Sequence, residues 1–130
     1  MVTVTYLDTS AAMKLVVDEP ESEALVGDLT SGQPRRLVAS WLLHTELYCA
    51  AGRNPDLVAV EAITAVLESV DLVDLSRGDM IAAGAYAPLR SNDALHLAVS
   101  IRLGVDELLT YDAELSAAAS RVGLRLLSPR

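Results

Sequence analysis

The chain has 130 residues, 52% of them apolar and 22% charged, with a net charge of −8 at pH 7. That length suits one domain around one core, spanning residues 1–130, and the composition excludes a disordered chain. Eighteen acids against ten basic residues disfavour a bare phosphate-binding surface, unless bound divalent metals supply the positive charge.

Val2–Leu7 is short and rich in β-branched residues, which predicts a first strand. It reaches Asp8 before any Lys, against the pattern of a secretory signal. Asp8-Thr9-Ser10 then supplies N-cap chemistry for a brief helix over Ala11–Val17, and Asp18-Glu19-Pro20-Glu21 starts another that ends near Ser31-Gly32. Leu37-Val38-Ala39 predicts a second strand, and Ser40 caps a helix to about Arg53. That helix carries Cys49, the chain's lone cysteine, which excludes an internal disulfide and any multi-cysteine zinc site. Asn54-Pro55 predicts the cap of a further helix bearing Val58, Ala62, Ala65 and Val66.

Val70–Leu75 predicts a third strand, followed by an alanine-rich helix over Gly78–Ala87 that Pro88 interrupts. Met80–Leu89 is the longest run without Asp, Glu, Lys or Arg, far short of a bilayer span. With neither signal nor span, the cytoplasm is the expected compartment. Ser91-Asn92-Asp93 opens a helix closed by Gly104; Glu107–Thr110 predicts a strand, Ala113–Val122 a helix and Gly123–Leu127 a last strand. Strands alternating with helices over short linkers predict a parallel sheet covered on both faces.

Four acids stand in unusual places. Asp8 and Asp112 each follow an apolar strand and precede a helix, where N-capping is the simplest role. Such positions also line the edge at which open parallel sheets bind ligands. Glu46 has Leu42, Leu43 and Ala50 at helical spacing. It either turns to solvent with His44 or Arg53 or meets a cation inside. Asp93 starts a helix that Ser91 or Asn92 already caps, with His96 on the same face as a core or capping histidine. The fold gathers Asp8, Asp93 and Asp112 along one edge. There, carboxylates without a compensating Lys call for a hard divalent cation, Mg²⁺ or Mn²⁺. Such a site activates water for displacement at phosphorus.

Tyr6-Leu7-Asp8-Thr9-Ser10-Ala11, His44-Thr45-Glu46-Leu47, Asn92-Asp93-Ala94-Leu95-His96-Leu97-Ala98 and Leu109-Thr110-Tyr111-Asp112 together resemble the PIN-domain ribonucleases. More narrowly, they resemble the VapC toxins of bacterial type II toxin–antitoxin pairs. The resemblance runs in order over nearly the whole chain. It implies a PIN-like three-layer α/β/α sandwich with a parallel sheet of order 3-2-1-4-5, and an endoribonuclease dependent on Mg²⁺ or Mn²⁺.

By position, Asp8, Glu46, Asp93 and Asp112 match the family's acidic quartet, as catalytic residues and metal ligands. Glu114 is the rival for the fourth place. Thr9, Ser10 and Thr110 match the hydroxyl-bearing supporting positions. Arg90 either contacts substrate phosphate or is simply solvated. The resemblance further implies a homodimer, an RNA substrate cut to a 5′-phosphate and a 3′-hydroxyl, and a cognate VapB-like antitoxin.

Two other phosphoryl-transfer families fail on single residues. A haloacid-dehalogenase phosphatase needs an acid where Ser10 stands, and a response-regulator receiver needs a late Lys, whereas Lys14 is the only one. A PIN-like protein that binds a partner without catalysis is the remaining alternative, and the complete quartet counts against it.

Overall fold

Thr3–Leu7 forms β1, the middle strand of a five-stranded parallel sheet ordered β3-β2-β1-β4-β5, in a computed structural model describing residues 1–130. Its neighbours are β2 (Arg35–Ser40) and β4 (Glu107–Leu109); β3 (Asp71–Val73) and β5 (Arg125–Leu127) form the edges. Tyr6 and Leu7 of β1, with Leu108 and Leu109 of β4, are fully buried. Central parallel strands covered on both faces read as such unbroken apolar runs. The register sets Thr5 opposite Glu107 and Glu107 opposite Arg125. At that N-terminal edge, Thr5 Oγ1 donates to Glu107 Oε1 at 2.9 Å, with Arg35 and Arg125 at 3.5 and 3.8 Å from the same carboxylate. One buried acid thus ties four strands together.

Seven helices connect the strands. Helices α1 (Thr9–Val16), α2 (Ser22–Leu29), α3 (Leu42–Arg53) and α4 (Val60–Glu68) pack together, α1 touching the other three. Helix α6 (Ser91–Leu103) packs between α5 (Arg77–Ala83) and α7 (Ala113–Arg121). Right-handed crossovers place these two groups on opposite faces, giving the three-layer α/β/α sandwich. Strand order reverses between β1 and β4, so the loops leaving these strands diverge and open a crevice at the sheet's C-terminal edge.

Several local expectations shift. Helix α1 begins at Thr9, directly after Asp8, because the Asp8 side chain caps it. Asn54 closes α3, and its carbonyl accepts from both Leu57 and Val58 N–H at 3.0 Å. Residues 55–58 therefore make a turn, Val58 is buried outside any helix, and α4 starts only at Val60. Helix α5 stops at Ala83, before the predicted Ala87, passing into i to i+3 turns ahead of Pro88, which lacks the N–H a helix would need. Ser40 ends β2 and its Oγ accepts from Leu42 N–H at 3.3 Å, while Trp41 occupies the cap position. Gly104 closes α6 in the left-handed region at φ 62°, where a Cβ would be strained.

Ser76 and Asp79 form a reciprocal capping box at the start of α5. Arg102 of α6 clasps the same Asp79 through Nε at 2.8 Å and a terminal nitrogen at 3.0 Å. That two-point pair docks α5 on α6, the helix carrying Asp93 and His96. Asp79 is buried, and Arg102 holds its carboxyl below the usual range.

Candidate active site

Asp8 leaves the end of β1 at the crevice and is only 2% exposed. Its Oδ2 accepts three hydrogen bonds: from Ser10 Oγ at 2.6 Å, Thr110 Oγ1 at 2.7 Å and Ser10 N–H at 3.3 Å. The two hydroxyls are themselves held. Ser10 Oγ accepts from Tyr111 N–H at 2.9 Å, and Thr110 Oγ1 from Asp112 N–H at 3.1 Å. Each hydroxyl thus spends its acceptor on the loop after β4 and its proton on Asp8. Oδ1 receives no protein donor, and His96 Nε2 lies 4.0 Å from it. One face of the carboxylate is fixed, and the other is free to bind.

Glu46 comes from the opposite helical layer. Its Oε1 accepts from Thr9 Oγ1 at 2.7 Å and lies 2.6 Å from His96 Nε2; Oε2 receives only a long contact from Asn92 Nδ2 at 3.4 Å. His96 is fully buried, and its Nδ1 lies 2.7 Å from the Tyr6 hydroxyl, which accepts from Ser40 N–H at 3.1 Å. Burial pushes the Tyr6 phenol well above its ordinary range, so its proton stays and points at Nδ1. An ionised carboxylate only accepts, so the partners assign a proton to Nε2, facing Glu46. Burial alone would raise Glu46, but the hydrogen bond from His96, helped by those from Thr9 and Asn92, brings it below the usual range. The apolar stripe around Glu46 therefore conceals a donor, and neither His44 nor Arg53 is its partner.

Asp93 sits in the first turn of α6, whose cap residue is Arg90. Neither Ser91 nor Asn92 makes a capping hydrogen bond, and Asn92 turns to Glu46 instead. The Asp93 carboxyl is pushed up to about 6, by burial first and then by the charges of Asp112, Asp8 and Glu46. Asp112 caps α7 through Oδ1, which accepts from Leu115 N–H at 2.7 Å. Capping and membership of the acidic group thus coexist at Asp8 and Asp112. Glu114 is exposed in the first turn of α7, and Arg90 is exposed without an ion pair. The structure brings Asp8, Glu46, Asp93 and Asp112 into one electrostatic group, with Thr9, Ser10 and Thr110 bonded directly to two of them.

No three Asp, Glu, His or Cys side chains close around a single ion position. The oxygens without a donor are Asp8 Oδ1, both oxygens of Asp93 and Asp112 Oδ2, while Glu46 Oε2 has only the long contact from Asn92. These are hard oxygen donors, which suit Mg²⁺ or Mn²⁺ and not zinc. The unrelieved repulsion at Asp93 is what such a cation would remove. His96 is the residue whose importance the sequence understated. The demand of a half-buried Glu46 for a donor was the available signal.

The PIN domain family model matches residues 5–120. The chain is 39% identical over 128 residues to Ribonuclease VapC46 of Mycobacterium tuberculosis, covering 95% of this chain and 96% of that protein. It is 35% identical over 130 residues to Ribonuclease VapC35 of the same species, again covering 95% and 96%. The fold is shared with a VapBC2 structure from Rickettsia felis bound to a DNA fragment from their promoter, at a TM-score of 0.75 and 14% identity over 98% of this chain and 100% of that one. It is also shared with Mycobacterium tuberculosis VapC20, a Sarcin-Ricin loop cleaving toxin, at a TM-score of 0.67 and 18% identity over 88% and 94%. No helix is long and apolar enough to cross a membrane. With the acidic crevice at the switch point of a 3-2-1-4-5 sheet, these matches settle the family: the chain belongs to the PIN-domain proteins and, within them, to the VapC ribonucleases.

Proposed function

We propose that this chain is the toxin of a type II toxin–antitoxin pair, an endoribonuclease that hydrolyses RNA with Mg²⁺ or Mn²⁺ held by Asp8 and Asp93. The observation that carries it is the Asp93 carboxyl, pushed up to about 6 by burial and its acidic neighbours, beside an Asp8 whose Oδ1 is left without a donor. When bound, the cation would lower the pKa of its water and offset charge on the phosphate. Ser10 and Thr110 hold Asp8 in one orientation, so its free oxygen is pre-aimed. Glu46, anchored through Oε1 by His96 and Thr9, offers Oε2 to accept a hydrogen bond from the attacking water and orient it. Asp112 completes the acidic group in preference to Glu114, because its charge is felt at Asp93. Water adds to phosphorus and the bond to the 3′ oxygen breaks, leaving a 5′-phosphate and a 3′-hydroxyl.

The same crevice suits inhibition by a basic antitoxin tail placing an Arg or Lys among the carboxylates. The chain acts as a homodimer in the cytoplasm, where its RNA is. Cleavage of RNA by the purified protein with Mn²⁺, lost in excess chelator and in Asp8→Asn, is the expected result. Full cleavage under either condition would overturn the metal mechanism. An intact fold with no cleavage under any metal would favour a silent partner-binding protein. Sequencing of RNA 5′ ends after brief induction, set against Asp8→Asn, identifies the target.

A further inference from the structure

Cations are scarce on this chain, and most are already engaged. Lys14, Arg35, Arg36, Arg102, Arg125 and Arg130 each face a carboxylate within 4 Å. Arg53, Arg77, Arg90 and Arg121 face none. Arg53 stands at the end of a groove of about 530 Å³ that opens from Thr9 and Glu46 and runs along α3 past Thr45 and Cys49. The groove's near wall is therefore part of the active site itself, and Asn92 lines it beside Glu46. Arg53 lies seven positions after Glu46, about 10 Å along a helix. That span suits a length of strand, not one phosphate.

We propose that this groove carries the RNA strand on one side of the scissile phosphate, with Arg53 contacting a neighbouring phosphate. The inference rests on the RNA-cleaving reading of the site above. An acidic surface repels RNA over most of its area, so a free guanidinium at the far end of a groove that starts at Glu46 has a large local effect on where the strand lies. Arginine suits the task because its planar fork matches phosphate oxygens. Contacts of this kind position a strand without reading its bases. Arg53 therefore sets the register of cleavage and leaves base preference to other residues. Arg53 also lies in the last turn of α3, where a cation offsets the helix dipole; that role affects stability, not RNA affinity.

The test is fluorescence anisotropy of a labelled single-stranded RNA on the full chain over a range of NaCl, in an Asp93→Asn background that prevents cutting. Arg53→Gln is expected to weaken binding about ten-fold and to reduce the slope of log Kd against log salt by about 0.7, one phosphate contact on a single strand. Arg53→Lys should restore the slope. Arg121→Gln, an equal loss of charge at the end of α7, should leave both unchanged. In the cleaving enzyme, the loss with Arg53→Gln should fall on KM and not on kcat. Unchanged Kd and slope in Arg53→Gln would overturn the proposal, as would an equal loss in Arg121→Gln. Binding that depends on Arg53 in a chain that never cuts RNA would sink the hydrolytic reading and leave the groove standing. Cleavage indifferent to Arg53 would do the reverse.

Discussion

His96 Nε2 lies 2.6 Å from Glu46 Oε1, joining helices from opposite faces of the sheet across fifty residues of sequence. The pair ties α3 to α6 beside the Asp8 carboxylate, whose Oδ1 lies 4.0 Å from the same His96 nitrogen. His96→Ala should cost about 2–4 kcal/mol, from the cavity and from a carboxylate left half-buried without its donor. The wild-type Glu46 is held low, so its contribution is present above the unfolded carboxylate pKa and lost as pH falls through the folded one. The deficit of His96→Ala should therefore shrink as pH falls through the lowered folded pKa of Glu46, below which the carboxyl is protonated in both proteins. His96→Gln, which keeps a donor, should recover part of the loss. Urea denaturation at several pH values measures all three.

Asp93 behaves in the opposite sense. Its folded pKa, about 6, lies above the unfolded 3.8, so the folded chain binds the extra proton between those values. Stability without metal should fall as pH rises from about 4 to 6, by about 2 kcal/mol after solvent screening. Asp93→Asn should abolish that decline and melt higher than wild type at pH 7. Adding Mn²⁺ at about 100 times its dissociation constant should stabilise wild type by about 2.7 kcal/mol and leave Asp93→Asn unmoved. Identical metal responses in thermal melts would remove Asp93 from the ligand set.

Thr110→Val keeps the shape of a buried side chain but deletes the proton given to Asp8 and the acceptor used by Asp112 N–H. We expect a cost of about 1–3 kcal/mol for the unpaired groups. A weaker Mn²⁺ affinity should accompany it, because Asp8 loses one of the hydrogen bonds that orient it. Ser10→Ala should act similarly and, since Ser10 and Thr110 share Asp8 Oδ2, the double variant should be non-additive. Calorimetric Mn²⁺ titration alongside the melts separates affinity from stability.

The Asp79–Arg102 clasp should show a coupling of about 1–2 kcal/mol in a double-mutant cycle with alanine. Asp79→Ala alone should be the more damaging, because it also removes half of the capping box that starts α5. Its stabilising contribution is present above the unfolded Asp pKa and lost as pH falls through the lowered folded value. Denaturant titrations of the four proteins at pH 7 and pH 3 check both statements.

Much of the site was visible before the fold. Asp8 and Asp112 follow apolar strands and begin helices, and a parallel sheet must collect such positions at one edge. The capping role and the acidic role could not be separated from spacing, because the structure uses the same carboxylates for both. Asn54-Pro55 resembles a helix cap, but the Asn54 carbonyl closes a single turn, so α4 starts only at Val60. The capping box of Ser76 and Asp79 was legible in principle from its three-residue spacing. Its Arg102 partner was not, since it lies one helix away.

The order of strands and helices, the placement of Asp8 and Asp112 and the left-handed stop at Gly104 were determined by the sequence alone. Periodicity, capping and turn chemistry act within a few residues and so can be read from them. Tertiary structure alone decided that Glu46 is met by His96, that Ser10 and Thr110 share one Asp8 oxygen, and that Arg53 is left without a partner beside the crevice. The Glu46–His96 and Asp8–Thr110 contacts join residues 50 and 102 apart in sequence. Their geometry follows from the crossover that brings both helical layers over the C-terminal edge of the sheet, which no local pattern encodes.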